Sequence, residues 1–151
     1  MVAMVWGRGS WRTVDGIAEL DAVLADLAAI SARPQVVGLY PPRFLEPDFS
    51  LDELLGLPSL QLGIGHPARG FLLWLGPGHG LGYEVELPPW PSGVREIEFD
   101  HGGEPVYCGP YRAAVTPAAV RDAALEYAAT GARPGRVLWR DDSAAEQHSV
   151  D

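Results

Sequence analysis

The chain has no lysine. All eleven of its Lys/Arg-type bases are arginine, set against twenty Asp and Glu, for a formal net charge of −9 over 151 residues. That balance excludes the basic footprint on which nucleic-acid binding rests. It also disfavours anionic membrane surfaces. It suits the opposite partner, because complementary fields speed the encounter of an acidic protein with a basic one. The missing lysine comes with abundant Ala, Gly, Pro, Arg and Val, a bias that fits a high-GC bacterial genome. Cysteine is almost absent: Cys108 stands alone, which excludes an intrachain disulfide and any multi-cysteine zinc site. No apolar run approaches the ~18 residues of a membrane span. The opening MVAMVWGRGSW carries no signal-peptide pattern. A soluble, cytoplasmic protein is expected.

Catalytic signatures are lacking as well. His66, His79, His101 and His148 have no second ligand at metal spacing on a helix. The first three sit in turns and the last near the C-terminus, and all read as solvated residues. The glycine clusters GIGHPARG and GPGHGLG open no helix, so neither fits a dinucleotide fingerprint. Without lysine neither can end as a phosphate loop. Both are better explained as hairpin turns that use positive φ. There is no G-x-S-x-G, and Cys108, in VYCGP, reads as a buried structural thiol. The expectation is a protein with no catalytic residue, no metal and no cofactor.

What is present is a globular composition, 47% apolar, in a length that suits one domain with a real core. No repeat or linker interrupts residues 1–140, and residues 141–151 (DDSAAEQHSVD) are polar and unpatterned, a flexible tail. Val2–Trp6 reads as a strand and Gly7–Ser10 as a turn. Thr13 or Asp15 can cap a helix over 16–31, since Ile17, Leu20, Leu24 and Leu27 recur at helical spacing and Pro34 stops it. Gln35–Tyr40, Leu60–Ile64 and Phe71–Leu75 read as strands, and Glu104–Cys108 as a short edge strand. Thr116-Pro117 opens a second helix with Val120, Ala123, Ala124 and Tyr127 on one face and Gly131 as its stop. Arg136–Trp139 reads as a last strand. The order predicts an α+β, two-layer fold: an antiparallel β-meander with two helices on one face.

Two stretches carry candidate binding residues. In Leu81–Asp100, Tyr83, Val85 and Leu87 alternate with Glu84 and Glu86, while Ile97 and Phe99 alternate with Glu96, Glu98 and Asp100. If these runs pair as strands, five carboxylates share one face. That face is either an ordinary wet sheet surface or one built for a basic partner. Trp90 lies in the connecting loop. Trp74 has the opposite parity to Phe71, Leu73 and Leu75, so it either points out among the acids as an anchor or belongs to a strand buried on both faces. The second stretch, Pro41–Pro58, reads as an irregular loop with one short helical turn. Asp48, Asp52 and Glu53 mark it as a possible contact loop, and Ser50 and Glu53 have capping-box spacing.

The C-terminal pattern is distinctive. Thr116-Pro117, the Ala-rich helix ending Glu126-Tyr127, then Thr130-Gly131-Ala132-Arg133-Pro134 and Val137-Leu138-Trp139 resemble the ending of a bacterial immunity-protein family, immunity family one of polymorphic-toxin systems. The strand LQLGIG and the early helix IAELDAVLADL are similar to its layout, so the resemblance spans roughly residues 13–140. It implies a small cytoplasmic antidote without catalysis, encoded beside a secreted toxin, often a nucleic-acid cytosine deaminase that includes forms acting on double-stranded DNA. Such an antidote binds the toxin domain and blocks its active site. Gly131, Arg133, Pro134 and Trp139 look structural, so the resemblance assigns no contact. The residues of the chain itself supply the candidates: Glu84, Glu86, Glu96, Glu98 and Asp100 for charge, Trp74 or Trp90 for anchoring, then Asp48, Asp52 and Glu53. The rival expectation is a non-catalytic binding or scaffold module of another bacterial system.

Overall fold

The computed structural model describes residues 1–30 and 33–142. Its centre is a run of strands too apolar to stand in water. Strand β1 (Val2–Trp6) and β2 (Ser10–Val14) form a hairpin, and β1 also pairs antiparallel with β3 (Gln35–Tyr40). From β3 the sheet continues through β4 (Leu60–Ile64), β5 (Phe71–Trp74) and β6 (Gly80–Tyr83), each antiparallel to the last. The last strand, β9 (Leu138–Arg140), adds to the free side of β6, giving the order β2-β1-β3-β4-β5-β6-β9. A hairpin of β7 (Ile97–His101) and β8 (Glu104–Cys108) branches from the start of β3, where Asp100 meets Gln35 in a parallel bridge.

Helix α1 (Ile17–Ile30) buries Leu20, Leu24 and Leu27, and α2 (Pro117–Thr130) buries Val120, Ala123, Ala124 and Tyr127. These join Met4, Val37, Leu39, Leu60, Leu62, Leu72 and Trp74 in one core. Thr116 caps α2, its Oγ1 accepting from the N–H of Ala119 at 3.2 Å, with Pro117 at the first helical position. Gly131, at φ 70°, ends the helix in the left-handed conformation, its N–H bonded to the carbonyl of Tyr127 at 2.7 Å. Arg121 clamps the two helices together, making two bonds of 2.7 and 2.8 Å to the carboxylate of Asp21. The α+β, two-layer expectation therefore holds.

The sheet's second face is partly covered too. Val36, Phe71, Ile97, Phe99, Cys108 and Ala113 form a smaller core beneath the β7–β8 hairpin. Phe71 and Phe99 meet edge to face with ring centres 5.0 Å apart. Gly63 permits this approach: a Cβ there would lie 2.3 Å from the ring of Phe71 and 2.8 Å from that of Phe99.

Three expectations need correction. Ser10–Val14 is a strand, so Thr13 lies in β2 and does not cap α1. The strand expected over 83–87 ends at Tyr83, and its partners are β5 and β9, not β7. Beyond Tyr83 the chain turns away: the N–H of Glu84 bonds to Ala114, and Val85 is 78% exposed. The loop after β3 holds two 3-10 turns, Pro42–Leu45 and Leu51–Gly56, instead of one helical turn. At the end of the chain, Asp142 pairs with Arg112 at 3.2 Å and the Tyr111 hydroxyl donates to the carbonyl of Asp141. The rest of the expected tail lies outside the described residues.

Candidate functional site

The five carboxylates of the Leu81–Asp100 stretch do not share a paired face. Glu84 is half-buried, and its Oε1 accepts from both the N–H and the hydroxyl of Thr116, at 2.8 and 3.1 Å. Glu86 and Glu96 are exposed in the irregular connection before β7. Glu98 points outward from the hairpin, opposite Tyr107, which is 55% exposed. Asp100 is tied into the hairpin turn, its Oδ1 accepting from the N–H of Gly103 at 2.8 Å.

Neither tryptophan is an exposed anchor beside these acids. Trp74 is 2% exposed and lies in the helix-side core, its ring tilted against Tyr127 and its N–H donating to Pro77 at 2.9 Å. Trp74 and Phe71 face opposite sides of the sheet, as their parity requires, and both sides are covered. Trp90 is half-buried. It donates to the carbonyl of Val94 and lies 5.2 Å from the guanidinium of Arg69. Arg69 is itself buried, bonding to the carbonyls of Ala113 and Pro88, so it and Trp90 fasten the connection to the body of the fold.

The Pro41–Pro58 loop is organised differently. Its acids gather around one base. Arg43 donates through Nε and an Nη to both oxygens of Glu53, at 3.1 and 2.8 Å, and through the other Nη to Asp48 at 2.6 Å and to Glu46. Those bonds hold the guanidinium well above the ordinary arginine range, and the bond from Arg43 holds Asp48 below the ordinary carboxylate range. Glu53 spends its carboxylate on Arg43, so no capping box forms, and Ser50 makes no side-chain cap. Bidentate, charge-assisted pairing outcompetes a single bond to a backbone N–H.

Aromatic rings complete the loop. Phe44 stacks on Tyr40 with centres 4.1 Å apart, and Phe49 packs against Phe44 at 5.2 Å. The hydroxyl of Tyr127 fixes the loop's far end by donating to Pro58 at 2.6 Å. Neither 3-10 turn buries a residue. Leu51 and Leu55 stand 78% and 85% exposed, and Asp52 between them has no side-chain partner among the described residues. Sequence reasoning passed over Arg43, Leu51 and Leu55. The available signal was LDELLGLP, which holds more leucine than so short a turn can bury. This loop leaves β3 after Tyr40 while the hairpin meets β3 at Gln35, so a strand length of roughly 17 Å separates the two acidic regions.

The thiol of Cys108 is buried and pushed up to about 12 by that burial, which leaves it inert at neutral pH. His66 lies below its ordinary range through burial, and its Nδ1 accepts from the N–H groups of Ala68 and Arg69. It is a neutral turn-former in this setting. Among the described residues no group of three or more His, Cys, Asp or Glu could hold a metal ion, and no helix is long and apolar enough to cross a membrane.

The C-terminal pattern proves to be architecture. Arg133 donates to the carbonyl of Gly78 at 2.8 Å and lies 5.5 Å from the Trp139 ring. Pro134 is buried, and its carbonyl accepts from the Trp139 N–H at 2.8 Å. Comparison with curated proteins finds no match. The family model described as immunity protein Imm1 matches residues 8–141, nearly the whole chain, and with it the helix, turn and closing strand just described: this chain belongs to the Imm1 family of immunity proteins.

Proposed function

We propose that the chain is the antidote to a secreted toxin domain that acts on nucleic acid, and that it works by covering that domain's active site. Membership of the Imm1 family over residues 8–141 is the observation that carries the antidote role. The charge supports the choice of partner. A toxin that acts on nucleic acid needs a basic groove for phosphates, and a protein of net charge −9 with no lysine is complementary to such a groove. A cytosine deaminase, which must also hold a flipped base in a pocket, is the toxin class that the C-terminal resemblance implies. The antidote would act in the cytoplasm, where the nucleic acid it protects is found. Blocking requires no chemistry from the antidote. The inert thiol of Cys108 and the turn-bound imidazole of His66 are in keeping with that.

The test is co-expression with the product of the adjacent gene, expected to be a long chain with a C-terminal toxin domain, followed by purification through a tag on that domain. A 1:1 complex, cell survival and loss of deamination on a DNA substrate are expected. A neighbour that neither kills cells nor binds this chain removes the antidote reading and favours a scaffold module. A bound toxin that is not a deaminase removes only the substrate class.

A further inference from the structure

We infer that the Leu51–Gly56 turn is the docking anchor for the toxin, with Leu51 and Leu55 seated on it and the surrounding acids facing the basic rim of its nucleic-acid groove. This rests on the antidote reading above and deepens it. Single exposed leucines are ordinary surface. Two of them, 78% and 85% exposed within one six-residue turn, are held out of the core by a loop whose 3-10 turns bury nothing. Arg43 ties the loop's parts together through Glu46, Asp48 and Glu53, while Phe44 packs against both Tyr40 and Phe49. The leucines are thus displayed on a surface already ordered, which lowers the cost of ordering on binding.

Charge selects the occupant. The loop carries Glu46, Asp48, Asp52 and Glu53 against the single base Arg43. Arg43 is saturated by three of these acids, so it presents little free positive charge to a partner, and Asp52 stands unpaired between the leucines. A basic partner gains from that rim. A second copy of this chain would set two acidic rims against each other, at a cost. An anionic membrane would be repelled in the same way.

The experiment measures binding kinetics to the neighbouring gene's toxin domain, made catalytically inactive, for the intact chain and three variants. Leu51→Ser with Leu55→Ser should weaken binding at least ~30-fold, the factor that marks hot-spot residues, mainly through faster dissociation and at an unchanged Tm. Asp52→Arg should slow association. Tyr107→Ala, on the distant hairpin, should stay within ~2-fold of wild type, as interface-neutral changes do. Leucine or Asp52 variants that bind as wild type overturn the anchor, as does loss of binding in the hairpin variant alone. If the leucine variant instead changes the oligomeric state of the free protein, the anchor is an interface between copies and the inference fails. A wild-type chain that does not bind the toxin overturns the antidote reading, and this one with it.

Discussion

Glu84 shows how a carboxylate that looks like surface charge is consumed by the fold. One of its oxygens accepts from the N–H and the hydroxyl of Thr116, while that hydroxyl's own lone pair accepts from Ala119. The acid therefore orients the cap of α2 and sits at the positive end of the helix dipole. It is also the nearby anion that steadies the buried guanidinium of Arg69. Glu84→Ala should lower unfolding free energy by ~1–2 kcal/mol, the range for a lost cap or charged hydrogen bond, read by urea denaturation. Toxin affinity should not change. An unaltered midpoint would mean that water replaces the carboxylate at the cap. The alternation Tyr83-Glu84-Val85-Glu86-Leu87 could not reveal this role, because its partner is 32 residues away in sequence. Period two records a propensity for strand; it does not record which edges are free. Here β5 pairs with β6 at Gly80 and Leu81, and β9 follows its other edge to Tyr83 and no further. Trp74 was ambiguous for a similar reason: its facing and the strands of the hairpin were legible, but that the hairpin packs over the other face of the sheet was not.

At the scale of elements, what was legible followed local chemistry. Both helices were: α1 through its apolar spacing, and α2 through apolar spacing together with a Thr-Pro start and a glycine stop. Strand β2 was not. It is an edge strand with four of its five residues exposed, so it has no buried face to impose a pattern. The Pro41–Pro58 loop was visible as irregular and acidic, but its order depends on side chains that meet only after folding. Arg43 tests that dependence. Arg43→Gln should raise amide exchange across residues 42–56, since Glu46, Asp48 and Glu53 would then repel one another with no cation between them. The global melting temperature should hardly move, because the ion pairs are exposed and the 3-10 turns lend nothing to the core. The same loosening should appear in wild type as pH falls. Asp48 titrates below its ordinary value of 3.8, so its contribution is present above that pH and is lost as pH drops through the lowered value. Exchange in 42–56 that matches wild type in the glutamine variant would mean that the Tyr40–Phe44–Phe49 stack alone orders the loop.

At the scale of the whole molecule, charge and apolar contact should separate in the kinetics. The net charge of −9 is spread over the surface, in the loop, the hairpin and the exposed faces of the helices, so its field acts before contact is made. Such a field raises the association rate with a basic partner and is screened beyond a Debye length of ~8 Å at physiological salt. Once the surfaces meet, dissociation is governed by what is buried, and there the exposed leucines matter more than distant acids. Raising salt from ~50 to ~500 mM should therefore slow association by roughly ten-fold or more, within the range seen for electrostatic steering, with dissociation changing little. The Leu51→Ser, Leu55→Ser chain should keep the same salt slope in its association rate while dissociating faster. Stopped-flow mixing with the inactive toxin domain over a salt series reads both quantities at once. An association rate indifferent to salt would mean that the acids serve solubility rather than encounter. The toxin would then be recognised by shape and apolar contact alone, without help from a charge balance that excludes every lysine.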